Sequence, residues 1–288
     1  MINPFFAFFL TSAAVAAQPK PVAFPKDIKV EANITYLPEG RKEKADLYLP
    51  LEFPKDKKLP AVVIIHGGGF VGGIKDAARE INIGGNLVRN GYVAMSIEYL
   101  LAKAGKPSWP QNLHDCKTAV RWLRANADKY HIDAAHIGVI GGSAGGHLAA
   151  MVALTGPDAG LDPKEPYGSL SCQVQCGVDL YGPNDLTLWM KDSKMIGRSI
   201  KEALEEYRKA SPVFQVTKDD PPMLMMHGTA DTTVDPEQSK LLDAALAKAG
   251  VEHQLEIIEG APHTFHLEPK QKDLRPIVIG FLEKHLKK

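Results

Sequence analysis

The amino-acid sequence predicts a single α/β domain in which helices cover both faces of a mostly parallel β-sheet. From about residue 59 onward, short β-branched runs alternate with longer segments of helical period. Two of the short runs, VVII at 62–65 and MLMM at 223–226, are apolar at every position, as in parallel strands that are covered on each side. A chain of 288 residues can fold as one domain of this class.

The first 17 residues are predicted to be a signal peptide. They contain an apolar run followed by Ala14-Val15-Ala16, which is typical of a secretory signal, and the run is too short to span a bilayer comfortably. No Lys or Arg precedes the run, so an apolar anchor or an ordinary terminus stays an alternative. Residues 18–28, rich in proline, are predicted to be a linker. We therefore expect a secreted or periplasmic protein with no stable membrane insertion after signal removal.

The elements of the predicted domain, residues 29–288, follow in order. Residues 32–50 are predicted to form two strands that turn at Pro38-Glu39-Gly40, an antiparallel edge. Because residues 18–58 are predicted to be linker and strands, no large cap domain is expected. Each later strand is recognised by its β-branched or apolar run, and each helix by its period. The pairs are LPAVVIIHG with 76–90, GYVAMSIEY with 112–130, HIGVIGG with 145–155, CQVQCGVDLYG with an irregular stretch, PPMLMMHG with 236–249, and HQLEIIEG with 272–287.

Charge and cysteine content exclude several function classes. The 34 basic and 34 acidic side chains cancel, so no overall field attracts nucleic acid or an anionic membrane. The three cysteines lack metal-ligand spacing. Cys172 and Cys176 can pair in an exported protein, but one extended strand would hold them too far apart for easy bridging, so their pairing is left open.

The carboxyl ends of parallel strands are where ligands bind in such sheets. The predicted strand ends carry serine, aspartate or histidine together with glycine, and we expect them to converge on one surface. They read HGGGF, EYLLA, GGSAGG, DLYGPND, HGTAD and EGAPHTF.

Ser143 lies in Gly141-Gly142-Ser143-Ala144-Gly145, a G-x-S-x-G pattern between a strand and a helix. So tight a bend presents its side chain clear of the backbone, and glycines permit the close approach of neighbouring segments. The alternative, a glycine-rich nucleotide loop, requires G-x-x-x-x-G-K-[ST] or G-x-G-x-x-G, and neither is present here. Ser143 is therefore predicted to be a nucleophile.

A serine nucleophile needs a base and an acid that orients the base, in the order Ser, Asp or Glu, His for this setting. Asp231 follows the strand PPMLMMHG and is preferred to Asp235, which precedes a proline and is typical of a helix cap. His263 follows the strand QLEIIEG and is preferred to His266, because it lies closer to the strand end.

Three other histidines are assigned structural roles. His66 and His227 each end a strand and are interpreted as imidazoles that support loops. His147, about one helical turn beyond Ser143, is interpreted as a helix-packing or rim residue.

Acyl transfer also needs N–H donors aimed at the oxyanion of the tetrahedral intermediate. The loop His66-Gly67-Gly68-Gly69-Phe70 follows an early strand, and its amides are unobstructed by side chains. The amides of Gly68, Gly69 and Ala144 are predicted to form this oxyanion hole.

With these residues, the sequence resembles the α/β-hydrolase superfamily, and within it the hormone-sensitive-lipase-like and BD-FAE-like (feruloyl-esterase-type) carboxylesterases. Three departures stand out: Glu98-Tyr99-Leu100-Leu101 replaces the usual D-Y-R-L, Val234-Asp235 replaces V-P, and Phe70 replaces a common Trp. The matching stretches are VVIIHGGGFVGG, GYVAMSIEYLLA, AVRWLRANADKYHIDAAHIGVIGGSAGGHLAAM, LYGPNDL, SPVF, PPMLMMHGTADTTV and EGAPHTF.

The resemblance implies cleavage of carboxylic esters through Ser143, Asp231 and His263, with no metal and no cofactor. The site is expected to be open, covered mainly by residues 156–212 with Trp189 and Tyr207. We expect short acyl or aryl esters, or acetyl or feruloyl decorations of plant polysaccharide, as substrates. The alternatives are an arylformamidase, a prolyl-type peptidase or an inactive relative that serves as a binding module. Phe70, Trp109 and Tyr181 are candidates for stacking on a sugar or phenolic ring, with ordinary packing as the alternative.

Overall fold

A computed structural model describes residues 23–287 of the chain. In these residues the strands are β1 Lys29–Ile34, β2 Ala45–Leu49, β3 Leu59–Ile65, β4 Val93–Ile97, β5 Ile132–Gly142, β6 Cys176–Leu180, β7 Met223–Gly228 and β8 His253–Ile258. The helices are α1 Ala78–Arg89, α2 Gln111–Ala125, α3 Ala144–Leu154, α4 Leu186–Trp189, α5 Ile200–Lys209, α6 Glu237–Ala249 and α7 Arg275–Leu286, with short 3₁₀ turns at Pro157–Ala159 and Pro212–Phe214.

The eight strands form one sheet in the order β1-β2-β4-β3-β5-β6-β7-β8. β2 is antiparallel to both of its neighbours, β1 and β4. From β4 to β8 every neighbouring pair is parallel. The predicted fold class, a mostly parallel sheet with antiparallel N-terminal edge strands, is confirmed.

Helices cover both faces of the sheet because successive strand side chains point to opposite sides. In β3, Val63 and Ile65 join the core under α2, α3 and α6, whereas Val62 and Ile64 join the core under α1 and α7. All four side chains are fully buried, which explains the unbroken apolar run that the sequence shows. The central strands are therefore held rigidly, and the loops at their ends can carry the site.

The segment before β6 differs from the expectation of one continuous strand. β6 begins only at Cys176, because the Arg124 guanidinium at the end of α2 binds the carbonyls of Ser171 and Gln173 at 2.7 and 2.6 Å. This anchoring holds the approach to β6 against a helix rather than beside a strand. Cys172 and Cys176 are both free, buried thiols.

Residues 156–212, expected to be irregular, contain α4 and α5. Tyr207 is a core residue rather than part of a cover: its side chain is fully buried, and its hydroxyl accepts from the Ser193 amide at 2.7 Å and donates to the Arg198 carbonyl at 2.8 Å. Trp189 is half-buried, and its indole N–H lies 3.3 Å from the Thr233 carbonyl.

The predicted signal peptide, residues 1–17, and residues 18–22 of the predicted linker lie outside the described residues. The end of that linker packs on the domain, since Ile28 is buried and Asp27 forms an ion pair with Arg89. In the described part of the chain, none of the helices has the length and apolar character needed to cross a bilayer.

Candidate active site

Ser143 stands at the sharp bend between β5 and α3. Its backbone adopts φ 58° and ψ −124°, a conformation that non-glycine residues rarely take and that surrounding structure must enforce. The Ser143 amide donates to the Leu180 carbonyl at 2.8 Å. Glycine is required on both sides, because a Cβ at Gly141 would lie 2.1 Å from the Gly145 carbonyl oxygen and one at Gly145 would lie 2.0 Å from that of Ile65.

The structure brings His263 and Asp231 to this serine from the loops that follow β8 and β7. The Nε2 atom of His263 lies 2.9 Å from Ser143 Oγ, and its Nδ1 lies 2.5 Å from Asp231 Oδ2. Because a carboxylate only accepts, Nδ1 carries the proton and Nε2 presents a lone pair to the serine hydroxyl. This is the tautomer in which the imidazole can remove the serine proton.

Three hydrogen bonds hold the Asp231 carboxylate, and His227 lies beside it. Oδ1 accepts from the amides of Thr233 and Val234 at 2.8 and 2.9 Å, and Oδ2 faces both His263 Nδ1 and, at 3.2 Å, His227 Nε2. Burial alone would raise the pKa of Asp231, but the hydrogen bonds from His263 and the two amides outweigh it and hold the pKa below its ordinary value. The group therefore stays ionised next to the imidazole.

His227 supports the loop after β7, as expected from sequence, and also lies beside Asp231. Its Nε2 lies 2.9 Å from the Val234 carbonyl oxygen, so Nε2 carries the proton, and its Nδ1 accepts from the Ser239 hydroxyl at 2.7 Å. Burial lowers the pKa of His227. A neutral, fully buried imidazole thus shares the Asp231 oxygen with His263.

The glycine loop after β3 passes beside the serine. A Cβ at Gly67 would lie 3.2 Å from Ser143 Cβ. Gly68 and Gly69 have φ of 120° and 61°, in the region that favours glycine. Ala144 is the first residue of α3, so its amide has no acceptor one turn earlier within the helix. The three amides predicted to bind an oxyanion therefore lie on the two segments that meet at Ser143.

Arg79 and Tyr181 form a contact chain to the histidine loop that the sequence motifs did not reveal. Arg79 Nη1 donates to the Tyr181 hydroxyl at 3.1 Å, and that hydroxyl donates to the Phe265 carbonyl at 2.6 Å. The Tyr181 ring lies edge-on to His263, with centroids 4.9 Å apart, and Glu80 neutralises Arg79 through a 2.6 Å ion pair. Arg79 follows no recognisable motif, so only its spatial position identifies it.

Two of the three aromatic residues predicted to contact substrate are packed inside the protein. Phe70 is 1% exposed and lies edge-on to His147, with centroids 5.2 Å apart. Tyr181 is 0% exposed, and its hydroxyl is engaged as described above. Neither ring offers a free face, so the expectation that they stack on a substrate is corrected to a packing role. Trp109 is half-buried, and its contact with substrate stays a prediction.

The other histidines and acids occupy the positions expected of structural residues. His147 is fully buried with Nδ1 2.7 Å from the Pro183 carbonyl oxygen, and His66 has Nδ1 2.7 Å from that of Gly67. Burial lowers the pKa of each ring to about 4. Asp235 accepts from the Glu237 amide at the start of α6, and His266 accepts from the Glu268 amide.

Among residues 23–287, no group of three or more His, Cys, Asp or Glu side chains is arranged to hold a metal ion. The chemistry that this arrangement can perform with its own groups is nucleophilic attack by an activated serine hydroxyl.

Comparisons with known proteins find esterases among the relatives of this chain. The BD-FAE family model matches residues 45–246. Esterase LipC of Mycobacterium tuberculosis is 34% identical over 226 residues, which cover 73% of this chain and 54% of the relative. Esterase LipQ of the same organism is 30% identical over 229 residues, covering 76% and 53%. The chain thus spans about half the length of these curated relatives.

Solved structures with a similar fold include a truncated carbohydrate esterase from gut microbiota. It has a TM-score of 0.82 and 26% identity, and the match covers 93% of this chain and 100% of that one. Esterase 2 of Thermogutta terrifontis has a TM-score of 0.71 and 27% identity, with 90% of this chain and 92% of that one covered.

Proposed function

The chain belongs to the BD-FAE family of α/β-hydrolases, and on that premise we propose that it is a serine hydrolase that cleaves carboxylic esters through an acyl-enzyme. Ser143 is the nucleophile, His263 the general base and Asp231 the acid that orients it. The observation that carries this proposal is the continuous contact from Asp231 through both nitrogens of His263 to Ser143 Oγ.

The reaction proceeds in two steps. His263 Nε2 takes the Ser143 proton as Oγ bonds to the ester carbonyl carbon, and the resulting oxyanion accepts hydrogen bonds from the amides of Gly68, Gly69 and Ala144. When the carbon–alkoxy bond breaks, His263 returns the proton to the leaving alcohol. A water molecule then repeats the sequence on the acyl-enzyme, releasing the acid and restoring the serine.

The substrates we propose are short acyl or aryl esters, including acetyl or feruloyl groups on plant polysaccharide. Residues 23–58 form strands and turns rather than a helical cap, which favours an open cleft. A structural neighbour at 26% identity is named a carbohydrate esterase. The predicted signal peptide supports an exported enzyme that meets such polymers.

The test compares wild type with Ser143→Ala on p-nitrophenyl esters of increasing chain length, acetylated xylan, methyl ferulate and an N-formyl aryl amide. We expect the highest kcat/KM on short or aryl esters and a fall on the order of 10⁴-fold or more in the variant, as for other serine triads. A fluorophosphonate probe should label wild type alone. Equal labelling of both proteins contradicts the mechanism, a peak at long acyl chains contradicts the open cleft, and a preference for the amide indicates an arylformamidase.

A further inference from the structure

A pocket lies between the turn after β4 and the segment that leads into α5. Its volume is about 380 Å³, within the range of about 300–1,000 Å³ that small-molecule sites occupy. The two walls are joined by backbone, since the amides of Ser108 and Trp109 both donate to the Met195 carbonyl at 3.0 Å. The pocket is therefore formed by segments that are fixed to each other.

The pocket wall is connected to the glycine loop that lies beside Ser143. Lys103, on the pocket wall, directly follows Ala102, whose amide donates at 2.8 Å to the carbonyl of Phe70, the residue after Gly69. Counting backbone bonds along this path, the Cα atoms of Gly69 and Lys103 are at most about 14 Å apart. One substrate chain can thus reach both places.

Three lysines give this pocket a cationic wall. The backbones of Lys103 and Lys106 pair across a tight turn through two 2.9 Å hydrogen bonds. Residues paired in this way project to the same face, where two like charges repel unless an anion lies between them. Lys194 adds a third ammonium group, and within the described residues none of the three has an acidic partner. Two carboxylates oppose them on the wall: Asp192, which is likewise unpaired, and Glu202, which accepts hydrogen bonds from the Ser199 amide and hydroxyl.

The pocket also holds an unsatisfied hydroxyl. Ser193 is 3% exposed and forms part of the wall, and in the described part of the chain its Oγ has no hydrogen-bond partner. Buried hydroxyl groups normally have a partner, and a ligand hydroxyl that reaches this one would supply it. Ammonium groups together with a buried hydroxyl match a sugar that carries a carboxylate.

We propose that the pocket lined by Lys103, Lys106, Lys194 and Ser193 binds a uronate sugar of an acylated polysaccharide while the ester lies at Ser143. This inference rests on the proposed function, and it narrows the substrate class to acidic polysaccharides. The lysines recognise the carboxylate, and Ser193 recognises a ring hydroxyl.

The test measures binding without catalysis. The full chain carrying Ser143→Ala is titrated calorimetrically with xylotriose bearing one glucuronate branch, with unbranched xylotriose, and with sodium sulfate. We expect the branched sugar to bind at least about 10-fold more tightly than the unbranched one, which corresponds to about 1.4 kcal/mol. The preference should disappear when Lys103→Gln and Lys106→Gln are added, and Ser193→Ala should weaken binding of the branched sugar.

The matched control is the pair Lys55→Gln and Lys57→Gln on the exposed surface before β3, which should retain the preference. Equal binding of both sugars, an unchanged preference in the Lys103/Lys106 variant, or sulfate that binds as tightly as the branched sugar overturns the uronate site. In the active protein, the Lys55/Lys57 control should hydrolyse p-nitrophenyl acetate like wild type. If the wild-type protein is inactive on every ester, the proposed function is refuted. The calorimetric result then still decides whether the pocket binds a uronate.

Discussion

At the scale of single residues, an added methyl group has different consequences at two neighbouring glycines of the loop beside Ser143: backbone strain at both, and a steric clash at one. A Cβ at Gly68 would lie 2.2 Å from the Gly72 carbonyl oxygen, whereas a Cβ at Gly69 would have no atom within 4 Å. Both positions have positive φ, so both pay backbone strain, but only Gly68 also faces a clash with rigid backbone. The two positions therefore form a natural matched pair.

We expect Gly68→Ala to lower kcat on p-nitrophenyl acetate by about 100-fold or more, because displacing the loop removes a proposed oxyanion donor. Gly69→Ala should retain most of the activity and lose about 1 kcal/mol of unfolding free energy. Steady-state kinetics with urea unfolding checks both. Similar activities for the two variants would show that the loop does not supply the donors.

The Nε2 N–H group of His227 lies 3.2 Å from the Asp231 oxygen that also faces His263, so we expect His227 to be a positioning residue for Asp231. His227→Leu removes this donor and should lower kcat by about 10-fold with little change in KM, because substrate binding is untouched. His227→Gln places an amide N–H near the Nε2 position and should recover most of kcat. If Leu and Gln variants of equal stability have equal kcat, the role of His227 is purely structural.

At the scale of elements, the N-terminal hairpin supplies a positive charge to the segment that follows β4. Family members usually have arginine where this chain has Leu100. Here Arg41, in the turn between β1 and β2, donates through both Nη atoms to the Asp115 carboxylate on α2 at 2.9 and 2.6 Å. Asp115 is fully buried and also accepts from the Leu100 amide at 2.8 Å. A residue distant in sequence thus supplies the cation for Asp115, and we propose that it takes the place of the arginine.

Arg41→Leu should lower the unfolding free energy by about 3 kcal/mol, because it leaves the buried Asp115 carboxylate without its cation. Adding Leu100→Arg should recover a substantial part of the loss, as urea unfolding of the single and double variants will show. Lys58→Leu, which breaks an ion pair with the exposed Asp128, is the control and should change stability by less than about 0.5 kcal/mol. No recovery in the double variant would disprove the compensation.

At the scale of the whole molecule, buried titratable groups determine how stability depends on pH. Burial lowers the pKa of His66 and His147 from 6.5 to about 4, so each ring contributes stability above pH 6.5 that is lost as the pH falls toward 4. Burial raises the pKa of Asp179 from 3.8 to about 6, so its contribution is present below pH 3.8 and is lost as the pH rises toward 6. On acidification each histidine lowers the free energy of unfolding by about 3 kcal/mol, and Asp179 raises it by a similar amount.

Unfolding free energy should therefore fall on acidification from pH 6.5 to 4.5. His147→Asn, which keeps a donor for the Pro183 carbonyl, should make this fall shallower, and Asp179→Asn should make it steeper. Urea titrations at several pH values give the three slopes. Identical slopes in the three proteins would mean that these groups titrate alike in the folded and unfolded chain.

Local sequence signals were sufficient to predict the sheet and to predict that the serine, aspartate and histidine lie together. Each of these residues follows a strand that its apolar run identifies. They were insufficient where a long-range contact decides the outcome. The segment before β6 looks like a strand until Arg124 binds its carbonyls, and the Tyr181 ring looks accessible until Arg79 and Phe265 enclose its hydroxyl. Those partners lie on other elements, so no local pattern encodes them.

The spacing of the site along the chain bears on protein synthesis. Ser143 and His263 are 120 residues apart, and β8, the strand that positions the histidine, forms the last edge of the sheet. The N-terminal part of a chain is synthesised first and leaves the ribosome first. A nascent chain that extends only to Gly250 already contains the serine, the aspartate and the glycine loop, yet lacks His263, the proposed base. The proposed activity therefore begins only when β8 pairs with β7, so the first turnover of ester marks the completion of the sheet.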